Sequence, residues 1–365
     1  MPDRWIEPLG LLTGGAAAAA IEAGLALPLA GGPAAFTLAR LVGRDPALVP
    51  AGAIPAGWRD LLPPLVEAPP PFAGLVPRLG PGAPLVMGVV NVTPDSVSGD
   101  GLLAAGLEGE ALIEAALAQG RAMLEAGADL LDIGGESTRP GAAPVTPEEE
   151  CRRILPVIRA LAPLAPLSVD TRHARTMREA LAAGARIVND VSALRHDPEA
   201  LGVAAAAGAP VILMHMLGDD PRLMQDGPRY ADVTLEVAEF LAGRLAAAEA
   251  AGIPRGRIAL DPGLGFGKTL EHNLALLHRL PLLAGLGCPL LVGASRKRSI
   301  GRLSGAKGGG RARMPGSVAA ALFAAARGAA ILRVHDVAET VQALRVQQAM
   351  LSGDRPHDTR LHFEP

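Results

Sequence analysis

Eight short apolar runs constrain the fold of this chain more than any other feature. They occupy residues 85–90, 129–133, 166–170, 186–190, 210–215, 257–261, 289–293 and 329–335. Each has the length of a strand buried on both faces. Between them lie longer stretches, such as residues 110–126 and 147–161, with Ala, Leu and Ile at three-to-four spacing and Glu or Arg on the other face, the pattern of amphipathic helices. Eight strand–helix units in about 270 residues predict an α/β fold of the (β/α)8 TIM-barrel class and not an open doubly wound sheet. Thr146-Pro147-Glu148-Glu149 supplies a capping hydroxyl, a proline and two carboxylates for one helix start.

Composition narrows the partners. With 49 % hydrophobic and 19 % charged residues the chain can bury a large core, and a net charge of −3 with dispersed basic residues offers no concentrated cationic face. Nucleic acid and anionic membrane are therefore not expected partners. Cys151 and Cys288 are the only two cysteines, too few for a disulfide framework or a cysteine zinc site, and a cytoplasmic setting fits them. The low-charge segment 9–39 is interrupted by Glu22, Pro28 and Pro33 and is built mostly of Ala and Gly, so a membrane span is not expected there.

The reading divides the chain into an Ala/Gly/Pro-rich N-terminal extension (1–84), a barrel (85–351) and a C-terminal tail (352–365). An Ala-rich helix is expected over 15–27, and a linker-like stretch bearing Pro63, Pro64, Pro69, Pro70, Pro71, Pro77 and Pro81 ends the extension. No motif with a mechanism lies in the extension.

Almost every apolar run ends in a polar residue: Asn91; Glu136 with Thr138 and Arg139; Asp170; Asn189 with Asp190; His215; Asp261; Ser295 with Arg296 and Lys297; Arg333 with His335. In a barrel these ends meet on one face, where such folds build their sites. Arg139, Lys297, Arg333 and His335 predict an anionic substrate. Asp170 and Asp261, taken to end adjacent strands, and Asn189 can hold a flat heterocycle bearing amino and amide N–H groups. Asn91 beside a diphosphate can ligate Mg²⁺. His215 reads equally as a core residue and as a site residue, and a zinc site at either Asp is disfavoured because no histidine lies at ligand spacing.

The blocks Met-Gly-Val-Val-Asn-Val-Thr-Pro-Asp-Ser (87–96), Gly-Gly-Glu-Ser-Thr-Arg-Pro-Gly (134–141), Ser-Val-Asp-Thr (168–171), Ile-Val-Asn-Asp (187–190), Leu-Met-His-Met (213–216), Asp-Pro-Gly-Leu-Gly-Phe-Gly-Lys (261–268), Ser-Arg-Lys (295–297) and Arg-Val-His-Asp (333–336) resemble, in order, those of the dihydropteroate synthase family. That resemblance implies a transferase of folate biosynthesis. Its substrates would be 6-hydroxymethyl-7,8-dihydropterin diphosphate and 4-aminobenzoate. It implies pterin contacts at Asp170, Asn189, Asp261 and Lys297, with Met214 and Phe266 lining the substrate site. Thr138, Arg333 and His335 would hold diphosphate, with Arg139, Pro140 and Val334 beside them. Asp170, Lys297, Arg333 and His335 would carry the chemistry, Asn91 would bind Mg²⁺, and the loop 137–141 would be mobile and shape the aminobenzoate pocket. The family usually has Phe at the place of Val97, which implies an altered pocket. A homodimer through helices near 315–327 and 340–351 is expected. The competing readings are a pterin-dependent methyltransferase, which needs no diphosphate cradle, and a pterin-binding protein without synthase activity.

Overall fold

The computed structural model describes residues 4–93, 102, 106–107, 109–137, 143–218, 224 and 227–353. The extension folds as β1 (Arg4–Thr13), α1 (Gly14–Glu22), β2 (Leu27–Pro28), β3 (Ala34–Gly43) and β4 (Ala47–Pro50). Central β3 pairs antiparallel with β1 along one side and with β2 and β4 along the other. The expected Ala-rich helix stops five residues early, because Gly24 turns the chain with a φ of +69°. The next segment carries the short helix α2 (Pro63–Val66).

The barrel strands are β5 (Leu85–Asn91), β6 (Leu130–Gly134), β7 (Leu167–Asp170), β8 (Ile187–Asp190), β9 (Val211–Met214), β10 (Ile258–Asp261), β11 (Leu290–Val292) and β12 (Ala329–Val334), and they close in parallel from β5 round to β12. Each coincides with one of the eight apolar runs. Packed around them are α3 (Gly109–Glu125), α4 (Pro147–Leu161), α5 (Ala174–Ala182), α6 (Ala200–Ala207), α7 (Val233–Ala250), α8 (Leu270–His278), α9 (Leu280–Ala284), α10 (Arg298–Ser304), α11 (Met314–Ala325) and α12 (Val337–Ser352). The fold is the expected (β/α)8 barrel. Thr146 caps α4, its side chain accepting the Glu149 N–H.

Strand alternation decides what each residue faces. Leu131, Ile133, Val169, Val188, Leu213, Leu260 and Leu332 point outward into the core beneath the helices. Leu85, Met87, Leu130, Ile187, Ile212, Ala259, Leu291 and Ile331 point inward and pack on one another as the floor of the barrel. Two residues further along, on the same inward side, stand Asp132, Asn189, Met214, Asp261 and Arg333. The register is tight: Asn91 pairs with Gly134, Gly134 with Asp170, Asp170 with Asn189, and Asp261 with Met214. One expectation is corrected here. Asp170 and Asp261 do not end adjacent strands, since β8 and β9 stand between β7 and β10.

The proline-rich stretch is more than a tether. Phe72, 2 % exposed, seats on the barrel floor. The Asp129 carboxylate pins the same stretch by accepting the Arg78 N–H at 2.8 Å and the Val86 N–H at 2.7 Å.

On the outer side of β7, Glu150 of α4 is fully buried and accepts the Thr171 hydroxyl at 2.7 Å. Burial pushes its carboxyl up to about 8 against the Thr171 and Thr176 hydroxyls, with Glu136 and Asp170 adding to the rise.

Two measurements check this packing. Phe72→Ala opens a cavity in the barrel floor and is expected to cost about 3 kcal/mol in denaturant unfolding; a loss below about 1 kcal/mol would mean the floor is closed without it. Between pH 4.5 and about 8 folded Glu150 keeps a proton that the unfolded chain loses, so its contribution falls as pH rises, by about 1.4 kcal/mol per unit at most. Glu150→Gln is expected to remove that slope from the pH dependence of the urea midpoint, and an unchanged slope would place the titration elsewhere.

Candidate active site

The inward residues of the upper layer form one polar network. Asp132, with no exposed side-chain surface, accepts the Arg333 Nε–H at 2.6 Å and the Asn189 Nδ2–H at 3.1 Å on the same oxygen, Oδ2. Its Oδ1 is buried and accepts no hydrogen bond from a described residue, an unsatisfied acceptor of the kind that marks a functional site. Arg333 gives its Nη2–H to Asp170 at 2.8 Å. One guanidinium thus stands between two carboxylates. Burial pushes Asp170 up to about 7 against the pull of Arg333, with Asp132, Asp190 and Glu136 adding to the rise. Burial also works against the Arg333 charge, but Asp132 and Asp170 outweigh it and hold the guanidinium above its ordinary range.

Across the barrel mouth, Asp261 Oδ1 accepts the Gly263 N–H at 2.7 Å and starts the glycine loop 263–268. Gly263 has a φ of +67°, and a Cβ there would lie 1.9 Å from the His215 carbonyl oxygen, so no other residue fits. The loop carries Lys297: its ammonium donates to the Leu264 carbonyl and sits 4.7 Å over the Phe266 ring. Burial lowers Lys297 to about 8, opposed by Asp261 and aided by Arg333; burial raises Asp261. Beside them Val191, Met214, Met216 and Met224 pack with Leu217 and Phe266 as an apolar wall. A flat heterocycle has here a face to lie on and acceptors for its edge.

His215 resolves toward the core. Its ring is packed edge-on against Phe240 at 4.8 Å and its Nδ1 lies 2.8 Å from the Lys268 ammonium nitrogen. Burial, then the Lys268 charge, push it down to about 2, so the imidazole is neutral and buttresses the glycine loop from behind.

The last two strand ends are tied together. The His335 backbone N–H donates to Ser295 Oγ at 3.2 Å, and its Nδ1 lies 2.9 Å from the same oxygen. Between Ser295 and Lys297, Arg296 has a φ of +56° and forks onto the Asp336 carboxylate at 3.0 and 2.6 Å, with Arg313 donating to its carbonyl at 3.0 Å. A backbone conformation that L-residues avoid is held here by a buried bidentate ion pair. The pair fixes Lys297 and His335, its chain neighbours.

Of the predicted site residues, Asn91, Asp170, Asn189, Met214, Asp261, Phe266, Lys297, Arg333 and His335 stand at or beside this mouth. Val334 does not join them: it alternates outward from Arg333 into the core under the helices. Thr138, Arg139 and Pro140, the rest of the loop 137–141 beyond Ser137, and Val97 lie outside the described residues. Asp132 escaped the sequence reading, though a carboxylate inside the apolar run Leu130-Leu131-Asp132-Ile133, two positions from a floor residue, is the signal for it. The Arg172–Glu136 ion pair, bidentate at 2.9 and 2.8 Å, also escaped it.

Residues 87–335 match the family described as pterin binding enzyme. The dihydropteroate synthase of Escherichia coli strain K12 is 48 % identical over 271 residues, 74 % of this chain and 92 % of that one. That of Mycobacterium leprae is 44 % identical over 272 residues, 73 % and 93 % of the two chains. Among solved structures, Xanthomonas albilineans dihydropteroate synthase with 4-aminobenzoic acid aligns with a TM-score of 0.68 at 50 % identity, covering 77 % of this chain and 97 % of that one. The same enzyme in complex with 7,8-dihydropteroate aligns with a TM-score of 0.64 at 47 % identity, covering 77 % and 98 %. With its barrel, its ring of strand-end carboxylates and these relatives, the chain belongs to the pterin-binding dihydropteroate synthase family.

Proposed function

We infer that the chain is a transferase of folate biosynthesis that condenses 6-hydroxymethyl-7,8-dihydropterin diphosphate with 4-aminobenzoate to 7,8-dihydropteroate and diphosphate. The observation that carries this is the shared guanidinium of Arg333: it fixes Asp132, and through it Asn189, as an acceptor edge beside Asp170 and opposite Asp261 and Lys297, with the Met214–Phe266 wall between them.

The residues divide the work as follows. Asp132, Asn189 and Asp261 take the amino and amide N–H groups of the pterin, and Lys297 donates to its acceptors. The C–O bond to the diphosphate breaks with its electron pair leaving on oxygen, and the pterin methylene becomes cation-like. Asp170, poised near neutrality, is ionised most readily when positive charge develops beside it, and so lowers the barrier. His335 and Thr138 receive the departing diphosphate, joined by Nη1 of Arg333, whose Nη2 stays on Asp170. The arylamine nitrogen supplies its lone pair to the methylene and then loses a proton to solvent or diphosphate; the arylamine is neutral at pH 7, so no strong base is needed. Arg139 and Pro140 complete the aminobenzoate side.

For a metal, Asn91 Oδ1 lies against Gly134 at the mouth, as Asp170 Oδ2 does. Among the described residues no group of three His, Cys, Asp or Glu is arranged for a cation. A single neutral carboxamide oxygen suits Mg²⁺ that takes its other ligands from diphosphate and water, and not a zinc ion. When bound, Mg²⁺ would supply charge to the leaving group.

The homodimer is part of the same reading. Phe323 on α11 and Val346 and Met350 on the adjoining α12 are large apolar side chains left 38, 50 and 78 % exposed, and a second copy would cover them. A cytoplasmic setting is supported by two buried free thiols. No described helix is long and apolar enough to cross a membrane.

Mixing both substrates is expected to release diphosphate in step with dihydropteroate. Asp170→Asn is expected to lower kcat by about 100-fold or more while pterin binding is kept; normal turnover would refute the electrostatic role.

A further inference from the structure

The extension reaches the active site through a chain of ion pairs. Glu7, the one acidic residue of β1, is 2 % exposed although its strand pairs on one side only. Its carboxylate accepts Arg279 Nε–H at 2.7 Å and Nη2–H at 3.1 Å, and Arg40 Nη1–H at 3.1 Å. Arg279, between α8 and α9, gives its remaining Nη1 to both oxygens of Asp232 at 2.8 and 2.7 Å. Asp232 caps α7, accepting the Thr234 and Leu235 N–H groups at 3.0 and 3.1 Å. Glu236 locks the approach to that cap by accepting the Ala231 and Asp232 N–H groups.

Two residues before the cap, Tyr230 donates its hydroxyl to the Gly267 carbonyl at 2.9 Å. Its ring meets His272 edge-on at 5.0 Å and lies 6.0 Å from His215. Gly267 belongs to the loop that seats Lys297. Glu7, Arg279 and Asp232 each carry two or more bonds, and the short backbone from Asp232 to Tyr230 passes a displacement of β1 on to the single Tyr230–Gly267 bond. The family match begins at residue 87, so Glu7 lies outside it.

We propose that the N-terminal sheet is a positioning element of the active site: through Glu7, Arg279 and Asp232 it fixes Tyr230, and through Tyr230 it holds the glycine loop on which Lys297 rests. Glu7 and Arg279 are positioning residues and touch no substrate. The expected effect on substrate rests on the reading above that Asp261 and Lys297 hold the pterin.

Tyr230 is the only tyrosine in the chain, so full-length protein labelled with 3-fluorotyrosine gives one ¹⁹F resonance at the middle of the path. In Glu7→Gln that resonance is expected to move toward the position of the free amino acid. KM for the pterin diphosphate is expected to rise about three- to tenfold, with kcat and the aminobenzoate KM changing less than about twofold. Tyr230→Phe should reproduce the kinetic change, and the double variant should be no worse than the worse single one, because both cut the same path. An unmoved resonance with both KM values unchanged would overturn the proposal even if the melting temperature fell, since the sheet would then serve stability alone. A moved resonance with a raised aminobenzoate KM instead would uphold the brace and refute the pterin assignment. Should Glu7→Gln fail to fold, Arg279→Lys, which keeps a charge but cannot bridge both carboxylates, is read by the same criteria.

Discussion

Arg333 is the group on which the rest of the site depends. A carboxylate as deeply buried as Asp132 is tolerated only beside a cation that shares its hydrogen bonds, and Arg333 serves two carboxylates at once. The arrangement leaves an excess of negative charge at the mouth. Burial first, with that excess adding to it, keeps Asp170 near neutrality, and the excess is the property that a cation-like pterin methylene would use. The same buried ion pairs that are costly in the empty protein become favourable contacts when charge develops in the substrate.

The position of this network follows from the strand period. Inward residues alternate between an apolar floor and, two residues on, the polar mouth; the eight-strand closure then brings side chains 201 residues apart, such as Arg333 and Asp132, into one hydrogen bond. The floor is completed from outside the barrel by Phe72. The extension thus closes one end of the barrel while, through Glu7 and Arg279, it bears on the loops of the other.

Much of this was legible in the sequence. All eight strands, the barrel and the residues Asp170, Asn189, Asp261 and Lys297 could be read from apolar runs with polar ends, because a strand buried on both faces leaves that pattern regardless of context. Asp132 is not legible by that rule, because this carboxylate lies inside an apolar run and not at its end. Val334 was placed at the site with its neighbours, although period two turns it the other way. The Arg296–Asp336 fork and the Glu7–Arg279–Asp232 path join residues whose pairing depends on tertiary closure, and nothing local encodes it. The extension's sheet was also hidden: its small, Pro- and Gly-punctuated sequence carries little alternation, and its packing comes from the barrel beneath it.

The proposed role of Asp132, held by Arg333, is to form the edge that reads the pterin. It is tested most directly by equilibrium binding of 7,8-dihydropteroate to full-length Asp132→Asn, with Arg333 kept. A loss of affinity of about 100-fold or more is expected, with the barrel still folded by circular dichroism although less stable. Unaltered affinity would contradict it.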